Sequence, residues 1–182
     1  MKVILFLADG FEEVEALTTV DYLRRQGIGV EMVSITEENK VKGAHDITVL
    51  ADMTLGELKE LDQYEGVIIP GGMPGATNLR DNSRVIEVVK ELHGKGKLAA
   101  AICAGPIVLE RAGISRGRRL TSYPGFSGDL RDSIYDEKDL VVDGNIITAR
   151  GPALAVDFAL EIIGYLLDHK AVEELKRDIL YR

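Results

Sequence analysis

The sequence predicts an α/β protein in which a mostly parallel sheet carries helices on both faces. Short, continuous apolar runs alternate along the chain with segments whose apolar residues recur at helical spacing. Strands buried on both faces give such continuous runs, and residues 98–102 (LAAAI) are an example. Strands that alternate with helices predict a doubly wound sandwich. At 182 residues, the chain is long enough for one domain, 1–182, with a sizeable core.

The first half of the chain alternates strands and helices, with one extended excursion. Apolar residues at positions 14, 17, 20 and 23 recur at helical spacing, and Gly27 ends that helix. The predicted elements, in order, are a strand at 2–8, a helix at 12–26, a strand at 29–35, a polar turn at 37–39, an extended excursion at 41–50 and a short helix at 55–61.

The second half repeats the alternation and adds a hairpin. An Asp-Gly pair between two apolar runs is a strong hairpin signal, and Asp143-Gly144 supplies it. The predicted elements are a strand at 66–70, a helix at 83–92, a strand at 98–102, a helix that begins near Pro106 and stops at Gly113, a hairpin with arms at 140–142 and 146–148, and helices at 153–167 and 171–180.

Composition and charge exclude several classes of function. The net charge of −8 argues against nucleic acid or an anionic membrane as the main partner, and Arg116, Arg118 and Arg119 are interpreted as a solvated loop. The apolar start is too short for a signal peptide, and no run reaches the ~18 apolar residues of a membrane span. One cysteine excludes an internal disulfide, so a reducing cytoplasm is the expected location.

That cysteine, Cys103, occupies the turn between a predicted strand and a predicted helix. Other α/β enzymes present nucleophiles at such turns. The helix N-terminus favours a thiolate, so we expect the Cys103 pKa to lie below the free value of about 8.5. The alternative is that Cys103 is a small buried hydrophobe, which is common for free cysteines.

Three loops with special chemistry follow predicted strands. They cover residues 9–12, 71–75 and 103–105. In a doubly wound sheet, ligands bind beyond the carboxyl ends of the strands, so these loops are expected to meet at one edge. This convergence favours the functional interpretation of Cys103.

The loops supply the groups that a cysteine nucleophile needs. Gly71, Gly72 and the N–H after Cys103 can donate to a developing oxyanion, although the glycine pair could equally serve a tight turn. Among the acids of the first helical turn, Glu15 flanks the apolar stripe and is the expected carboxyl partner, with a raised pKa. The other two, Glu12 and Glu13, are expected to serve the helix dipole.

No histidine forms an evident dyad with the cysteine. His93 and His169 are placed near helix C-termini, where a cationic side chain is favourable. His45, in the extended excursion, is interpreted as a surface residue. The glycine loop lacks the dinucleotide and P-loop fingerprints, and no metal site is predicted.

Four segments resemble a known family: residues 7–15 (LADGFEEVE), 69–72 (IPGG), 100–106 (AAICAGP) and 149–152 (ARGP). Together they are similar to the ThiJ/PfpI superfamily, and the resemblance covers essentially the whole chain. The nearest branch contains the parkinsonism-associated protein and its bacterial relatives.

The resemblance implies a flavodoxin-like (class I glutamine amidotransferase-like) sandwich and a homodimer packed partly through the first helix. It implies that Cys103 is the reactive thiol and Glu15 the protonated carboxyl beside it. Gly72 and Ala104, with Gly71, would supply backbone N–H groups. The expected site lining, also taken from the resemblance, is Tyr123, Arg150, Gly151 and Pro152.

The resemblance also implies an activity. Members of this branch are described as cofactor-independent glyoxalases and deglycases that act on methylglyoxal, glyoxal and their early adducts, which protects against carbonyl and oxidative stress. They are also described as oxidative-stress sensors and as chaperones. The expected partners are therefore small reactive aldehydes or glycated adducts. A flavodoxin-like cofactor binder is a weaker alternative, because the chain has no Trp and few aromatic residues to stack a flavin.

Three positions depart from the family pattern. Tyr123 stands where a histidine often lies near the cysteine, and a tyrosine is a poor base near neutral pH. Ala104 stands where the peptidase branch has histidine, which argues against proteolysis. His45 stands where the parkinsonism-associated protein has an arginine near the dimer interface.

Overall fold

A seven-stranded sheet forms the centre of the molecule in the computed structural model, which describes residues 1–181. Two short two-stranded sheets lie beside it. The strands are β1 (Lys2–Leu7), β2 (Gly29–Ser34), β3 (Lys40–Lys42), β4 (Thr48–Leu50), β5 (Met53–Thr54), β6 (Tyr64–Ile69), β7 (Leu98–Ile102), β8 (Arg119–Leu120), β9 (Ile134–Tyr135), β10 (Leu140–Asp143) and β11 (Ile146–Ala149).

The large sheet has the order β10-β11-β7-β6-β1-β2-β5. All of its neighbouring strands run parallel except β10, which pairs antiparallel with β11 across the predicted hairpin. The strand order reverses direction at the centre, so β1, β6 and β7 lie side by side. The loops that follow these three strands therefore start from one edge, as predicted.

Helices cover both faces of the sheet. They are α1 (Glu13–Arg25), α2 (Gly75–Asp81), α3 (Ser83–Gly94), α4 (Pro106–Arg111), α5 (Ala155–Leu166) and α6 (His169–Asp178). Residues of α1, α5 and α6 share one apolar cluster, and residues of α2, α3 and α4 share another. The α/β sandwich with a mostly parallel sheet is therefore confirmed.

The central strand β1 contributes to both clusters because successive side chains of a strand point to opposite faces. Ile4 and Phe6 pack with α2, α3 and α4, whereas Leu5 and Leu7 pack with α1, α5 and α6. All four side chains are fully buried. This explains why β1 appears in the sequence as an unbroken apolar run.

The predicted helix at 55–61 is wrong. Leu55, Leu58 and Leu61 all contact the core, and their spacing imitates a helix. The backbone instead turns after β5, where the Glu57 carboxylate accepts hydrogen bonds from the N–H and hydroxyl of Thr54. Glu60 has a φ of 49°, which no α-helix accommodates, and only a 3-10 turn follows at Leu61–Gln63.

Other differences are smaller. The excursion at 41–50 is the hairpin β3–β4, and α5 begins after a 3-10 turn at Pro152–Leu154. The mostly polar helix α2 and the short strands β8 and β9 were not predicted, because their sequences have no clear apolar period. No helix among residues 1–181 is long and apolar enough to cross a membrane.

The buried face of α1 also differs from the expected one. Val14 is half exposed, whereas Glu13 and Glu15 are buried together with Ala16, Thr19, Val20 and Leu23. Two carboxylates in the first turn therefore point into the protein. This orientation of the helix brings the Glu15 carboxylate to the loop after β6.

Candidate active site

Gly71 lies at the centre of the place where the three loops meet. A Cβ atom on Gly71 would lie 2.7 Å from Cys103 Cβ, 2.8 Å from Glu15 Oε2 and 2.9 Å from Ala104 N. The Gly71 carbonyl also accepts a 2.9 Å hydrogen bond from the Glu12 N–H. The structure thus brings Cys103, Glu15, Gly71 and Ala104 together, as the sequence predicted.

Cys103 adopts a strained backbone conformation on the turn between β7 and α4. Its φ is 61°, in the left-handed region that side chains other than glycine rarely adopt. Two hydrogen bonds of 2.9 Å hold this conformation: the Cys103 N–H donates to the Ala149 carbonyl, and the Cys103 carbonyl accepts from the Tyr123 N–H. Such strain is typical of functional positions, and the thiol is partly accessible.

Glu15 is 1% exposed and faces the thiol from the first turn of α1. Its Oε2 accepts a 2.7 Å hydrogen bond from the Gly71 N–H, and its Oε1 is buried without a hydrogen-bond partner among the described residues. Burial raises the pKa of Glu15 to about 7, although the Gly71 N–H and Cys103 act against the rise; the charge of Glu12 adds to it. The direction agrees with the expectation from the sequence.

The expected low pKa of Cys103 is wrong. Burial raises the pKa of the thiol to about 12, and the negative charge of Glu15 and its hydrogen bond add to the rise. The backbone N–H groups of Ala104 and Gly72 lower it only in part. The helix N-terminus does not prevail because α4 has only six residues and the thiol is largely removed from water.

The two side chains therefore titrate as one unit. An ionised Glu15 holds the proton on Cys103, whereas a protonated Glu15 removes that repulsion and can donate a hydrogen bond to Sγ. A thiolate can form when Glu15 carries the proton. The pair can therefore move one proton between a nucleophile and an acid near neutral pH.

Gly72 and Ala104 place backbone N–H groups at the thiol, where both favour its anionic form. Gly72 has a φ of 87°, and a Cβ there would lie 2.3 Å from the Glu12 N atom. Only glycine fits this position, because both the backbone conformation and the available space exclude a side chain. Donors fixed in this way can stabilise negative charge on sulfur or on an oxygen bound next to it.

The remaining predicted lining residues divide into two groups. Tyr123 is half exposed, and its ring lies against Gly151, where a Cβ would be 3.5 Å from Tyr123 Cδ2. Pro152 begins the 3-10 turn that follows. Arg150 is directed elsewhere: its Nη1 donates a 3.0 Å hydrogen bond to the Glu137 carbonyl. Tyr123 and Gly151 therefore flank the cysteine turn more directly than the Arg150 side chain does.

The histidines lie outside the Cys103–Glu15 pair. His169 begins α6 instead of ending a helix, which corrects the sequence-based placement, and His93 is half-buried in the last turn of α3. His45 is exposed, as expected, and its imidazole pairs with Glu13. Sequence reasoning missed this role of Glu13, since an acid in a first helical turn usually serves the helix dipole.

Among residues 1–181, one group of three side chains has donor atoms close enough to share a cation: Glu12, Glu13 and His45. Their atoms are already paired with one another, since His45 Nδ1 lies 2.9 Å from Glu13 Oε2 and 3.6 Å from Glu12 Oε1. We therefore describe the group as an ion-pair cluster.

Comparison with known proteins places this arrangement in a family. The family model described as DJ-1/PfpI matches residues 1–164. The chain belongs to the DJ-1/PfpI family. The protein named dj-1beta from Drosophila melanogaster is 37% identical over 179 residues, which cover 97% of this chain and 95% of that protein.

Solved structures agree with this assignment to the DJ-1/PfpI family. A C103A mutant of a DJ-1 superfamily protein from Salmonella typhimurium has a TM-score of 0.94 and 36% identity, and the match covers 100% of this chain and 98% of that chain.

A further sequence relative, a protein named deglycase from Pyrococcus abyssi, is 35% identical over 154 residues, which cover 84% of this chain and 91% of that protein. These similarities support a DJ-1-type function.

Proposed function

We propose that this protein is a cofactor-independent glyoxalase or deglycase that uses Cys103 as a nucleophile on α-oxoaldehydes such as methylglyoxal. The observation that carries the proposal is the coupled pair of Cys103 and Glu15, whose carboxyl has a pKa of about 7 and lies beside a thiol on a strained turn. A carboxyl with a pKa near the working pH can both give and accept a proton. The similarity to a protein named deglycase supports the same class of substrate.

The reaction on methylglyoxal balances with water as the only co-reactant. The Cys103 thiolate forms a C–S bond to the aldehyde carbon, and the N–H groups of Gly72 and Ala104 stabilise the new oxyanion until it is protonated. Glu15 then moves the proton of the former aldehyde carbon to the neighbouring carbonyl carbon through an enediol, while the hydroxyl proton passes to the ketone oxygen, which leaves a lactoyl thioester on Cys103. Water hydrolyses the thioester, the C–S bond breaks, and lactate and the free thiol are released.

Turnover by variants of the pair tests this proposal. Purified protein should convert methylglyoxal to lactate, Cys103→Ser should abolish the reaction, and Glu15→Gln should reduce it about 100-fold or more, within the usual range for loss of a general acid–base. His169→Gln, an exposed change on α6, is the matched control and should leave turnover unchanged. Unchanged lactate formation after Cys103→Ser would refute the mechanism.

Oxidation of the same thiol is a second candidate function. The partly accessible Cys103 lies beside a carboxyl and two N–H donors, which could hold a sulfinate. Each of two peroxide molecules would transfer one oxygen to sulfur and leave as water. Mass spectrometry after mild peroxide treatment should find two oxygens on Cys103. Oxidation confined to the four methionines would exclude this role.

We also propose that the protein forms a homodimer through α1 and acts in a reducing cytoplasm as a single domain. Val14 on α1 and Ile47 on the hairpin loop are each 52% exposed, which leaves apolar surface beside the site.

The lone, partly accessible thiol suits a reducing compartment. Histidine is absent after Cys103, where Ala104 stands, so peptidase activity is not part of the proposal.

A further inference from the structure

Glu13 fixes the loop of the β3–β4 hairpin to the first turn of α1. Its side chain is 5% exposed, and Oε1 accepts hydrogen bonds of 2.7 Å from the His45 N–H and 3.4 Å from the Ile47 N–H. A Cβ on Gly43 would lie 2.2 Å from the same oxygen, so the loop is closely packed on this carboxylate. Burial acts to raise the pKa of Glu13, but these bonds and the His45 side chain together lower it. Glu13 is therefore a buried anion that determines where His45 lies.

His45 is placed beside two carboxylates at the start of α1, those of the N-cap residue Glu12 and of Glu13. Its Nδ1 lies 2.9 Å from Glu13 Oε2 and 3.6 Å from Glu12 Oε1. Asp46 is the third acid that acts on it, and Asp46 is itself paired with Lys42 of β3. The hydrogen bond to Glu13 and the charges of Glu12 and Asp46 raise the pKa of His45, so the imidazolium is favoured.

Glu12 connects this cluster to the cysteine site. Its N–H donates to the Gly71 carbonyl at 2.9 Å, and its backbone packs against Gly72. Glu12 is the extended N-cap residue of α1, and Gly71 joins it to Glu15, because the Gly71 N–H donates to Glu15 Oε2 at 2.7 Å. Glu12 is also the charged group that adds to the raised pKa of Glu15.

We infer that His45 is a positioning residue that acts through Glu12 on the proton held by Glu15. When His45 is charged, it offsets part of the combined negative charge of Glu12 and Glu13, and Glu15 meets less negative charge. When His45 is neutral, the Glu12 carboxylate is uncompensated and keeps the proton on Glu15. The inference rests on the proposed role of the Cys103–Glu15 pair, but it concerns titration of the thiol and not turnover.

The test measures alkylation of Cys103 by iodoacetamide as a function of pH, in buffer with EDTA. Cys103 is the only cysteine, so the rate reports one thiol. Uncompensated negative charge on Glu12 opposes every ionisation of the coupled Cys103–Glu15 pair. We therefore expect His45→Gln to raise the midpoint of the rate profile by about 0.5 pH unit and Glu12→Gln to lower it by a similar amount. His45→Arg keeps the positive charge and should hold the midpoint at or slightly below that of the unmodified protein. His169→Gln is the control for removal of an exposed histidine.

A double variant, His45→Gln with Glu12→Gln, tests whether His45 acts on Glu15 through Glu12. In a Glu12→Gln background, His45→Gln should shift the midpoint by less than half of its shift in the native background, because without the Glu12 charge the His45 imidazolium is less favoured and acts less on Glu15. An equal shift in both backgrounds, or no shift from His45→Gln alone, would overturn the inference. Circular dichroism at each pH verifies that the variants are folded. Because the readout is alkylation, lack of methylglyoxal turnover would refute the proposed function without affecting this result.

Discussion

At the scale of single residues, the proposed chemistry depends on Glu15, a carboxyl that the fold removes from water. Glu15 makes one hydrogen bond to a backbone N–H, from Gly71, and its other oxygen has no hydrogen-bond partner among the described residues. A buried carboxyl that accepts few hydrogen bonds is more stable in its neutral form than as an anion. The group that prepares the proposed nucleophile is therefore also a source of instability at higher pH.

This predicts that stability falls as the pH rises. The folded-state pKa of Glu15 is about 7, against an unfolded value of 4.5, so the native state binds more protons than the unfolded state between these values. Glu15 thus contributes nothing unfavourable below pH 4.5 and destabilises the fold increasingly as the pH passes through that window. The expected loss is about 3 kcal/mol by pH 8.

Urea denaturation at pH 4.5 and pH 8 measures the effect. Glu15→Gln keeps an oxygen that can accept from Gly71 but cannot ionise, so it should be more stable than the unmodified protein at pH 8 and nearly equal at pH 4.5. Glu161→Gln, on the exposed side of α5, is the control. An equal pH dependence in the native protein and Glu15→Gln would contradict the assignment of the shift to Glu15.

At the scale of elements, the site exists because three strand–loop units approach one another to within van der Waals contact. The loop after β6 passes between α1 and the cysteine turn. Its neighbours pack so closely around Gly71 that a methyl group at this position would overlap with them. The adjacent positions of β1, β6 and β7 in the sheet bring these loops together. A side chain at Gly71 is excluded by lack of space, whereas a side chain at Gly72 is excluded by both lack of space and the backbone conformation.

We predict that Gly71→Ala destabilises the fold by about 1–3 kcal/mol, as expected for overpacking. It should also reduce turnover and Cys103 alkylation by up to about 100-fold, since a small displacement of reacting groups is costly. Gly94→Ala is the matched control, because a Cβ there meets nothing within 4 Å. Native rates in Gly71→Ala, measured together with a urea melt, would show that the close approach has no role.

At the scale of the whole molecule, the sheet separates two buried apolar clusters, and a few apolar side chains remain exposed on α1 and on the β3–β4 loop. Val14 and Ile47 are exposed next to the cluster formed by Glu12, Glu13 and His45. Burial of this surface in a homodimer would bring a second chain close to the site. The net charge of −8 would otherwise oppose association of two copies.

The predicted oligomer is therefore a dimer whose interface includes Val14. Sedimentation equilibrium should give twice the mass of one chain, and Val14→Asp should shift the population to monomers, because it places a charge in an apolar contact. Val142→Asp, at an exposed apolar position on the edge strand β10, is the control and should remain dimeric. A monomeric native protein, or dissociation by both variants, would argue against this interface.

Much of the fold and the composition of the site were predictable from sequence. Continuous apolar runs identified the buried strands, and the residues directly after them identified Cys103 and the glycine pair, because parallel strands end at one edge. The acid at position 15 could be selected from three only by its place beside the apolar stripe. The helix at 55–61 was wrong because the spacing of three core leucines does not reveal a side-chain hydrogen bond that turns the backbone.

The sequence by itself therefore determined most of the helices and strands, which loops meet and which residue types are present at the site. Only the tertiary structure decided the direction in which the pKa of the thiol is shifted. The pKa of Cys103 is raised, contrary to the expectation from its helix, because desolvation depends on burial by residues distant in sequence. The pairing of Glu13 with His45, 32 residues away, likewise depends on how α1 rotates over the sheet. Local patterns record periodicity, whereas the energy of a charge depends on everything that surrounds it.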